Sequence, residues 1–581
     1  MAEKEISIAT PTLELSPQST EQSLVDDEPN LWKSIRKWPR VLGYSFGLTS
    51  AILLYGFDTS IVGNVSAIPE FQRDYGRKLD DRYIIPSMWM GLWNAISPIG
   101  VMIGSIIAGW LQDRVGRRLS LGLSSVLSAG GVAAVFCSHY IDHLESRRGA
   151  FLAAKLIMGL AIGGVLCTTQ TYLSEILPPK LRGSVMAFFP VFTLLGQLIG
   201  AVVVYASLDF PGKQPYTTPM IAQWPFSAVP LIIAIILPES PAYLLRKGKF
   251  DKAFKSQRRL DSSQTDTQRN IDNLLYALQK EEEQDRHDRA TYLECFRGTN
   301  LRRTLIVIFA NLLPQLFGLA LLSDASYFIQ VVGMSAHNAL LFLQLGVALG
   351  LVANIVSMWM VTKVGRRPLG MTTLAISILL WGAMGIAGIF DGVVVIWYTA
   401  VTMMVIIVSI PPGTSPCLDR YGSSRIAIYK LQSGRARPAR PKRQREIHAN
   451  KCTQIVVGVG IWPVAYVVGA ETSSLRLRAK TQGIGWFSGA FAQGAFGISL
   501  PYAYNVDEGN LRAKAGFIIA GFSVLALVLT WLFVPEMKER TAAEIDTMFE
   551  RRLPARQFQH WRGTVAGPGR DDPFGSEAHL T

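Results

Sequence analysis

"MMVIIVSIPPGTSPCLDRYGSSRIAIYKLQSGRARPARPKRQREIHANKCTQIVVGVGIWPVAYVVGAE" occupies Met403 to Glu471. Its two ends are apolar enough to dissolve in lipid, whereas its middle is rich in Arg and Pro and has no place inside a bilayer. How this stretch is read decides the fold, because eleven other segments of the 581-residue chain have the length and apolarity of a membrane span. They are Val41–Pro69, Tyr83–Gln112, Leu119–Ser138, Gly149–Ser174, Gly183–Leu208, Gln214–Pro238, Thr304–Met334, Asn338–Thr362, Leu369–Phe390, Thr481–Val506 and Ala515–Pro535. A content of 49% hydrophobic and only 17% charged residues is too apolar for an ordinary soluble protein.

The short loops give an orientation. Lys33, Arg36, Lys37 and Arg40 precede the first span, "DRVGRR" follows the second, "PPKLRG" the fourth and "TKVGRR" the eighth, and "RLRAK" precedes the Thr481–Val506 span. The positive-inside rule then places both termini in the cytosol, which requires an even number of spans. The tail "MAEKEISIATPTLELSPQSTEQSLVDDEPN" is acidic and polar, unlike a cleaved signal, so the first span is expected to serve as the targeting signal. The five cysteines are scattered, with no C-x-x-C pair and no His at metal-ligand spacing. No metal, no cofactor and no nucleic-acid partner is expected.

Internal repetition supplies the missing span. "DRVGRR" from Asp113, "SEILPPKLRG" with Glu175 seven residues before Arg182, and "PESP" with Glu239 recur as "KVGRR" from Lys363, "ETSSLRLR" with Glu471 seven before Arg478, and "PEMKER" with Glu536. Glu239 follows Glu175 by 64 residues and Glu536 follows Glu471 by 65, but Glu175 follows Asp113 by 62 whereas Glu471 follows Lys363 by 108. The second half is therefore 46 residues too long. Removing Ser409 to Gln454 joins "WYTAVTMMVIIV" to "IVVGVGIWPVAYVVGAE" as one apolar run, the twelfth span. The removed piece holds ten Lys/Arg and two acids, a net +8 of the chain's +14. Its charge is thus poor evidence for binding nucleic acid. It reads as a translated intron or gene-model error; the alternative is a genuine inserted loop. The expected organisation is a disordered cytosolic tail (1–40), a six-helix bundle (41–241), a cytosolic linker (242–303), a second six-helix bundle (304–536) interrupted by 409–454 in its tenth helix, and a cytosolic tail (537–581).

"GWLQDRVGRR", "PESP", "ETSSLRLRAK" and "PEMKERTAAEID" resemble the signature set of the sugar porter family in the major facilitator superfamily. "LYGFDTS", "PEFQRDYG" and "CFRGTNLRRT" resemble its fungal α-glucoside (maltose) permease branch, and the likeness covers about Tyr44 to Phe549. The resemblance implies an all-α membrane protein with the major facilitator fold: twelve transmembrane helices in two six-helix bundles, with the substrate held between them and alternating access by rocking. It implies a monomeric multi-pass carrier of the plasma membrane, not an enzyme, whose partners are a small-molecule sugar, the proton and the lipid bilayer, and whose driving force is the proton gradient. Asp113, Arg117, Arg118, Glu175, Arg182, Glu239, Glu471, Arg478 and Glu536 are then the cytosolic gate, Glu175 with Arg182 and Glu471 with Arg478; the plainer alternative is a set of topology-determining loop charges.

Asp58 is the only charge between Arg40 and Glu70. A carboxylate there costs about 2.5 to 3.5 kcal/mol on insertion scales, so a partner or a function is required. Family members that are proton symporters carry an Asp at this place, with a fourth-span Arg as its partner. Here "AKLIMGLAIGG" puts Lys155 in the Arg position, a cation without the forked, permanently charged guanidinium. Asp58 and Lys155 are therefore the coupling pair, with a purely structural ion pair as the alternative. A sugar needs donors and acceptors for several hydroxyls and an aromatic face. Gln197 matches the family's fifth-span Gln. In "LPQLFGLA" the family's Q-Q-L-S-G-x-N keeps Gln315 and Gly318, with Pro314 and Ala320 in place of the first Gln and the Asn. Tyr466 stands where hexose carriers have Trp, Gln493 falls on a polar position of the eleventh span, and Asn354 lies one helical turn from the family's eighth-span Asn. Asp324, in the outer part of the seventh span, has no family counterpart.

No Walker loop, serine triad or metal cluster supports ATP drive or hydrolysis. The function expected is proton-coupled symport of an α-glucoside or related sugar. The alternatives are a carrier of another polyol, organic acid or secondary metabolite, and a nutrient sensor that no longer transports.

Overall fold

The computed structural model describes residues 38–561, apart from 80–81, 178–184, 186–187, 262–265, 288–291, 391, 409–467, 469–471, 474–476, 539, 541 and 560. Among the described residues, nine helical stretches are long and apolar enough to cross a membrane: Pro39–Ser66, Ser87–Val115, Arg117–Tyr140, Leu144–Ile176, Phe189–Ser207, Gln214–Ile236, Ala336–Ile355, Arg367–Ala387 and Arg512–Phe533. They correspond to the first six spans and to the eighth, ninth and twelfth. The eleventh is the 27-residue helix Arg478–Tyr504, whose Gly, Ser and Gln residues dilute its apolarity. Of the tenth, the helix Val393–Val408 is described; the segment 409–454 lies outside the described residues.

Three boundaries differ from the sequence reading, each for a local reason. The second span starts at Ser87 and not at Tyr83, because Pro86 forms its N-cap and Arg82–Ile84 pairs as a short strand with Arg77–Leu79. The first helix is already open at Pro39, so the tail expected over 1–40 stops short of it. The seventh span, expected as one helix over Thr304–Met334, is broken into Gly298–Leu316, Leu319–Ser323 and Ala325–Val332. Pro314 withdraws a backbone donor there and Gly318 takes the left-handed φ of 105° that ends the first piece.

The first half is knit by close backbone approach. A Cβ on Gly104 or Gly163 would overlap the carbonyl oxygen of Leu160 or Val101, so the second and fourth helices touch along their main chains. In the second half the ninth helix packs on the twelfth and the seventh on the eleventh; across the halves the second meets the eleventh and the fifth meets the eighth. One apolar cluster, including Phe57, Trp93, Phe317, Phe328 and Tyr504, runs through both halves. The linker is helical at Pro241–Arg246, Phe250–Leu260 and Thr267–His287. The described part of the segment read as a C-terminal tail packs on the bundle: Met548, Phe549 and Phe558 are buried with Ile306 and Ala310 at the base of the seventh span, and the Arg303 guanidinium pairs with Asp546. Arg117 and Arg367 mark the motif end of the bundle.

Candidate coupling and substrate site

Asp58 sits in the second piece of the first span, Leu53–Ser66, and Lys155 in the middle of the fourth. Their side chains are each 1% exposed and meet at 2.5 Å, Lys155 Nζ to Asp58 Oδ1. Ser97 of the second span donates to Asp58 Oδ2 at 3.0 Å, and Gln223, between the two pieces of the sixth span, donates to Oδ1 at 3.4 Å. The four groups come from four different helices, so the carboxylate is the node at which those helices are tied. A dehydrated ion pair of this kind contributes little net stability, yet removing one partner strands the other charge. Ser97 and Gln223 escaped the sequence reading because uncharged polar residues within apolar runs carry only a weak signal.

Gln197, half-buried on the fifth span, donates to Thr59 Oγ1 at 3.3 Å and so lies beside the residue that follows Asp58. Gln315 is buried just before the seventh-span break, with its Oε1 unpaired. Asn354, on the eighth span, is buried with neither its Oδ1 nor its Nδ2 paired. Unpaired buried polar atoms cost about 1 to 3 kcal/mol each, which a substrate hydroxyl would recover. Gln493 is half-buried on the eleventh helix, which packs on the seventh. No described hydrogen bond joins Gln315, Asn354 or Gln493 to the Asp58 cluster, and Tyr466 lies outside the described residues.

At the motif end, Arg117 is buried in the first turn of the third helix. Its Nη2 lies 2.8 Å from Glu175 Oε1 and 3.3 Å from Asp113, which sits in the last turn of the second helix. Glu175 also accepts from the Ser240 hydroxyl. The structure therefore pairs Glu175 with Arg117, where the sequence reading pairs it with Arg182; Arg182 and Glu471 lie outside the described residues, as does the side chain of Arg478. The Glu239 carboxylate accepts the backbone N–H of Arg117 at 2.9 Å and of Arg118 at 3.3 Å, capping the third helix where its dipole favours an anion. Arg118 turns the other way, donating to the carbonyls of Ala234 and Ile235 at the end of the sixth span. The second half repeats this: Glu536 accepts the Arg367 N–H at 3.0 Å, and the Arg367 guanidinium donates to the Trp531 carbonyl at 2.7 Å. Gly116 and Gly365, with φ of 102° and 104°, approach Glu239 and Glu536 so closely that a Cβ would strike the carboxylate. Registered on these two glycines, the second half exceeds the first by 47 residues up to Glu471, one more than the sequence count from Asp113 and Lys363.

The described hydrogen bonds between the halves cluster at the opposite end. Asn94 donates to Asp324 Oδ2 at 2.5 Å, Ser326 to the Gly63 carbonyl at 3.1 Å and Gln72 to Gln330 at 2.6 Å. The Ser87 N–H donates to Asp507 at 2.9 Å and Asn505 to the Ile85 carbonyl at 2.9 Å. Asp324, which the sequence reading leaves without a family counterpart, is buried in this contact, 5% exposed. A Cβ on Gly63 would lie 2.6 Å from the Ser323 carbonyl oxygen and 2.8 Å from Asp324. The halves are shut on each other at this end.

Comparison with known proteins gives a consistent picture. The profile described as sugar (and other) transporter matches residues 46–417 and 453–549, breaking off inside the segment 409–454. The MFS transporter fmqE of Aspergillus fumigatus is 28% identical over 556 residues, covering 93% of each chain. Maltose permease MAL61 of Saccharomyces cerevisiae is 26% identical over 91% of this chain and 79% of its own. Among solved structures, the proton:xylose symporter XylE bound to 6-bromo-6-deoxy-D-glucose superposes with a TM-score of 0.61 at 17% identity, over 88% of this chain and 99% of its own. A partially occluded inward-open conformation of the xylose transporter XylE from E. coli superposes with a TM-score of 0.63 at 17% identity, over 87% of this chain and all of its own.

Proposed function

From a chain that belongs to the sugar (and other) transporter family, has the all-α major facilitator fold and is a carrier and not an enzyme, we propose proton-coupled symport of an α-glucoside or related sugar across the plasma membrane, with twelve spans and the motif end in the cytosol. The observation that carries this reading is the buried Asp58–Lys155 pair. Protonating Asp58 cancels the charge that holds the Lys155 ammonium and the Ser97 and Gln223 donors, loosening a tie among four helices. Gln197, held at Thr59, places a substrate-binding amide next to the residue that takes the proton. The sugar thereby gains a short path of influence over the proton. No cofactor enters this scheme. Gating in it belongs to the paired Arg117–Glu175 and Glu239 at one helix end and Arg367–Glu536 at the other, which keep each half rigid while the halves rock.

A panel of labelled sugars, presented to a transporter-deficient host expressing this chain, identifies the substrate. Uptake confined to a polyol, organic acid or secondary metabolite would replace the sugar reading; the departures at Pro314 and Ala320 keep that alternative open, and so does a 28%-identical relative whose name specifies no sugar. Gln197→Ala and Gln315→Ala are each expected to raise the apparent KM by about 1 to 2 kcal/mol of lost hydrogen bonding, roughly five- to thirtyfold, with surface expression unchanged. An unchanged KM in both would move the sugar site elsewhere.

The same reading takes 409–454 as foreign to the tenth span. Deleting Ser409 to Gln454 is expected to raise surface expression severalfold, since irregular polar backbone at membrane depth needs shielding. Transcripts that mostly encode "GRARPARPKRQR", together with equal expression of the two forms, would make it a genuine loop.

A further inference from the structure

Beside the first span, at the motif end, lies a groove of about 900 Å³ that the transport cycle does not use. Its floor is the start of the first span, one wall is the end of the sixth, and the other is the linker helix Phe250–Leu260. Lys255, Arg258 and Arg259 are exposed on that helix at positions i, i+3 and i+4, so they stand on one face, and Arg40 joins them from the first span. Arg40 donates to the Asp261 carbonyl at 3.0 Å and Arg259 to the Ile236 carbonyl at 2.9 Å. These neutral partners fix the two guanidiniums without neutralising them. Among the described residues, Lys255 and Arg258 make no hydrogen bond or ion pair and no acidic side chain lines the groove; the nearby Asp261 carboxylate is buried, its Oδ1 accepting from Gln257 at 2.9 Å and Asn270 at 3.0 Å.

The rest of the groove is greasy. Ile233 and Ile236 face it from the sixth span, and on the first span Gly43 and Gly47, one helical turn apart, leave a smooth strip with open space where a side chain would stand. Cations at the mouth and a bare aliphatic channel running into the membrane along two spans match one kind of molecule. We propose that this groove binds an anionic glycerophospholipid, its phosphate among Arg40, Lys255, Arg258 and Arg259 and an acyl chain along the Gly43–Gly47 strip. Basic pockets between helices at the membrane surface bind anionic lipid headgroups. The bound lipid ties the linker helix to the first and sixth spans, the elements that move when the first half rocks. The inference leans on the proposed orientation only for the leaflet that supplies the lipid, and its test is independent of transport.

The full-length protein, purified in detergent, is titrated with phosphatidylserine or phosphatidylcholine and its retained lipid is read by native mass spectrometry. One phosphatidylserine per chain should be held at least tenfold more tightly than phosphatidylcholine. Lys255→Gln with Arg258→Gln, two exposed positions, should lower phosphatidylserine retention about tenfold and leave phosphatidylcholine unchanged. Gly47→Phe, which fills the open strip, should weaken retention in the same way. Equal retention of the two lipids, or an unaltered preference in the double variant, overturns the proposal. Displacement by millimolar inorganic phosphate would make the ligand a free phosphate group. Binding that appears only after deletion of residues 1–30 would make the acidic N-terminal tail the occupant.

Discussion

Replacing Asp58 by Asn will abolish accumulation of the solute against its gradient while sparing exchange of labelled solute across the membrane. The amide keeps the size of the carboxyl, and Ser97 Oγ, now 3.0 Å from Oδ2, retains a partner, so the local packing survives. What is lost is the capacity to take up and release a proton. Lys155 is then left as a dehydrated cation beside a neutral neighbour, without the carboxylate that balances it here. Lys155→Arg should preserve coupling, since a guanidinium stays charged in either state of Asp58. Alkalinisation of an unbuffered medium on addition of solute reads the proton flux directly. Full accumulation by Asp58→Asn, or accumulation by the unaltered chain with no proton uptake, would end the symport assignment.

Gly63→Trp will stop net transport and exchange alike, for a steric reason. No side chain fits between Gly63 and the Ser323–Asp324 backbone while the halves are shut at this end. An indole there wedges the first span away from the seventh, and the contacts of Asn94 with Asp324 and of Ser326 with the Gly63 carbonyl cannot form. Packing within each half is untouched, so the protein should still reach the membrane and bind solute from the side opposite the motif end. Ser326, fully buried here, supplies the readout. With exposed Cys137 replaced by Ser, Ser326→Cys should resist a membrane-impermeant maleimide in the parent and react with it in the Gly63→Trp background. Wild-type transport by Gly63→Trp, or an unreactive Cys at 326 in that background, defeats the argument.

What could be read in the sequence tracks the strength of each physical signal. Asp58 and Lys155 were legible because a lone charge in an apolar run is costly and demands a partner, and the structure puts the two in contact. The paired motif glycines and glutamates were legible as a repeat, although spacing alone did not disclose that the Glu239 and Glu536 carboxylates cap helix N-termini. The contact of Glu175 with Arg117 was not read from the sequence, because Arg182 is nearer along the chain, whereas Arg117 starts another helix of the same bundle and is near only through space; Arg182 itself lies outside the described residues. Hydropathy concealed the breaks at Gly318 and Asp324, because a window that sums apolarity ignores backbone φ. The packing of Phe549 and Phe558 under the seventh span was hidden by the polar residues between them.

The shut end of the bundle bears on inhibition. A blocker applied from that side and unable to cross the membrane meets the closed Asn94–Asp324 and Ser326–Gly63 contacts in this conformation; it engages the fraction of molecules in which they have parted. Its apparent dissociation constant is the intrinsic one divided by that fraction, so molecules open for about 1% of the time look roughly a hundredfold less sensitive than they are. Conditions that speed cycling raise the open fraction, and block from that side should deepen with use.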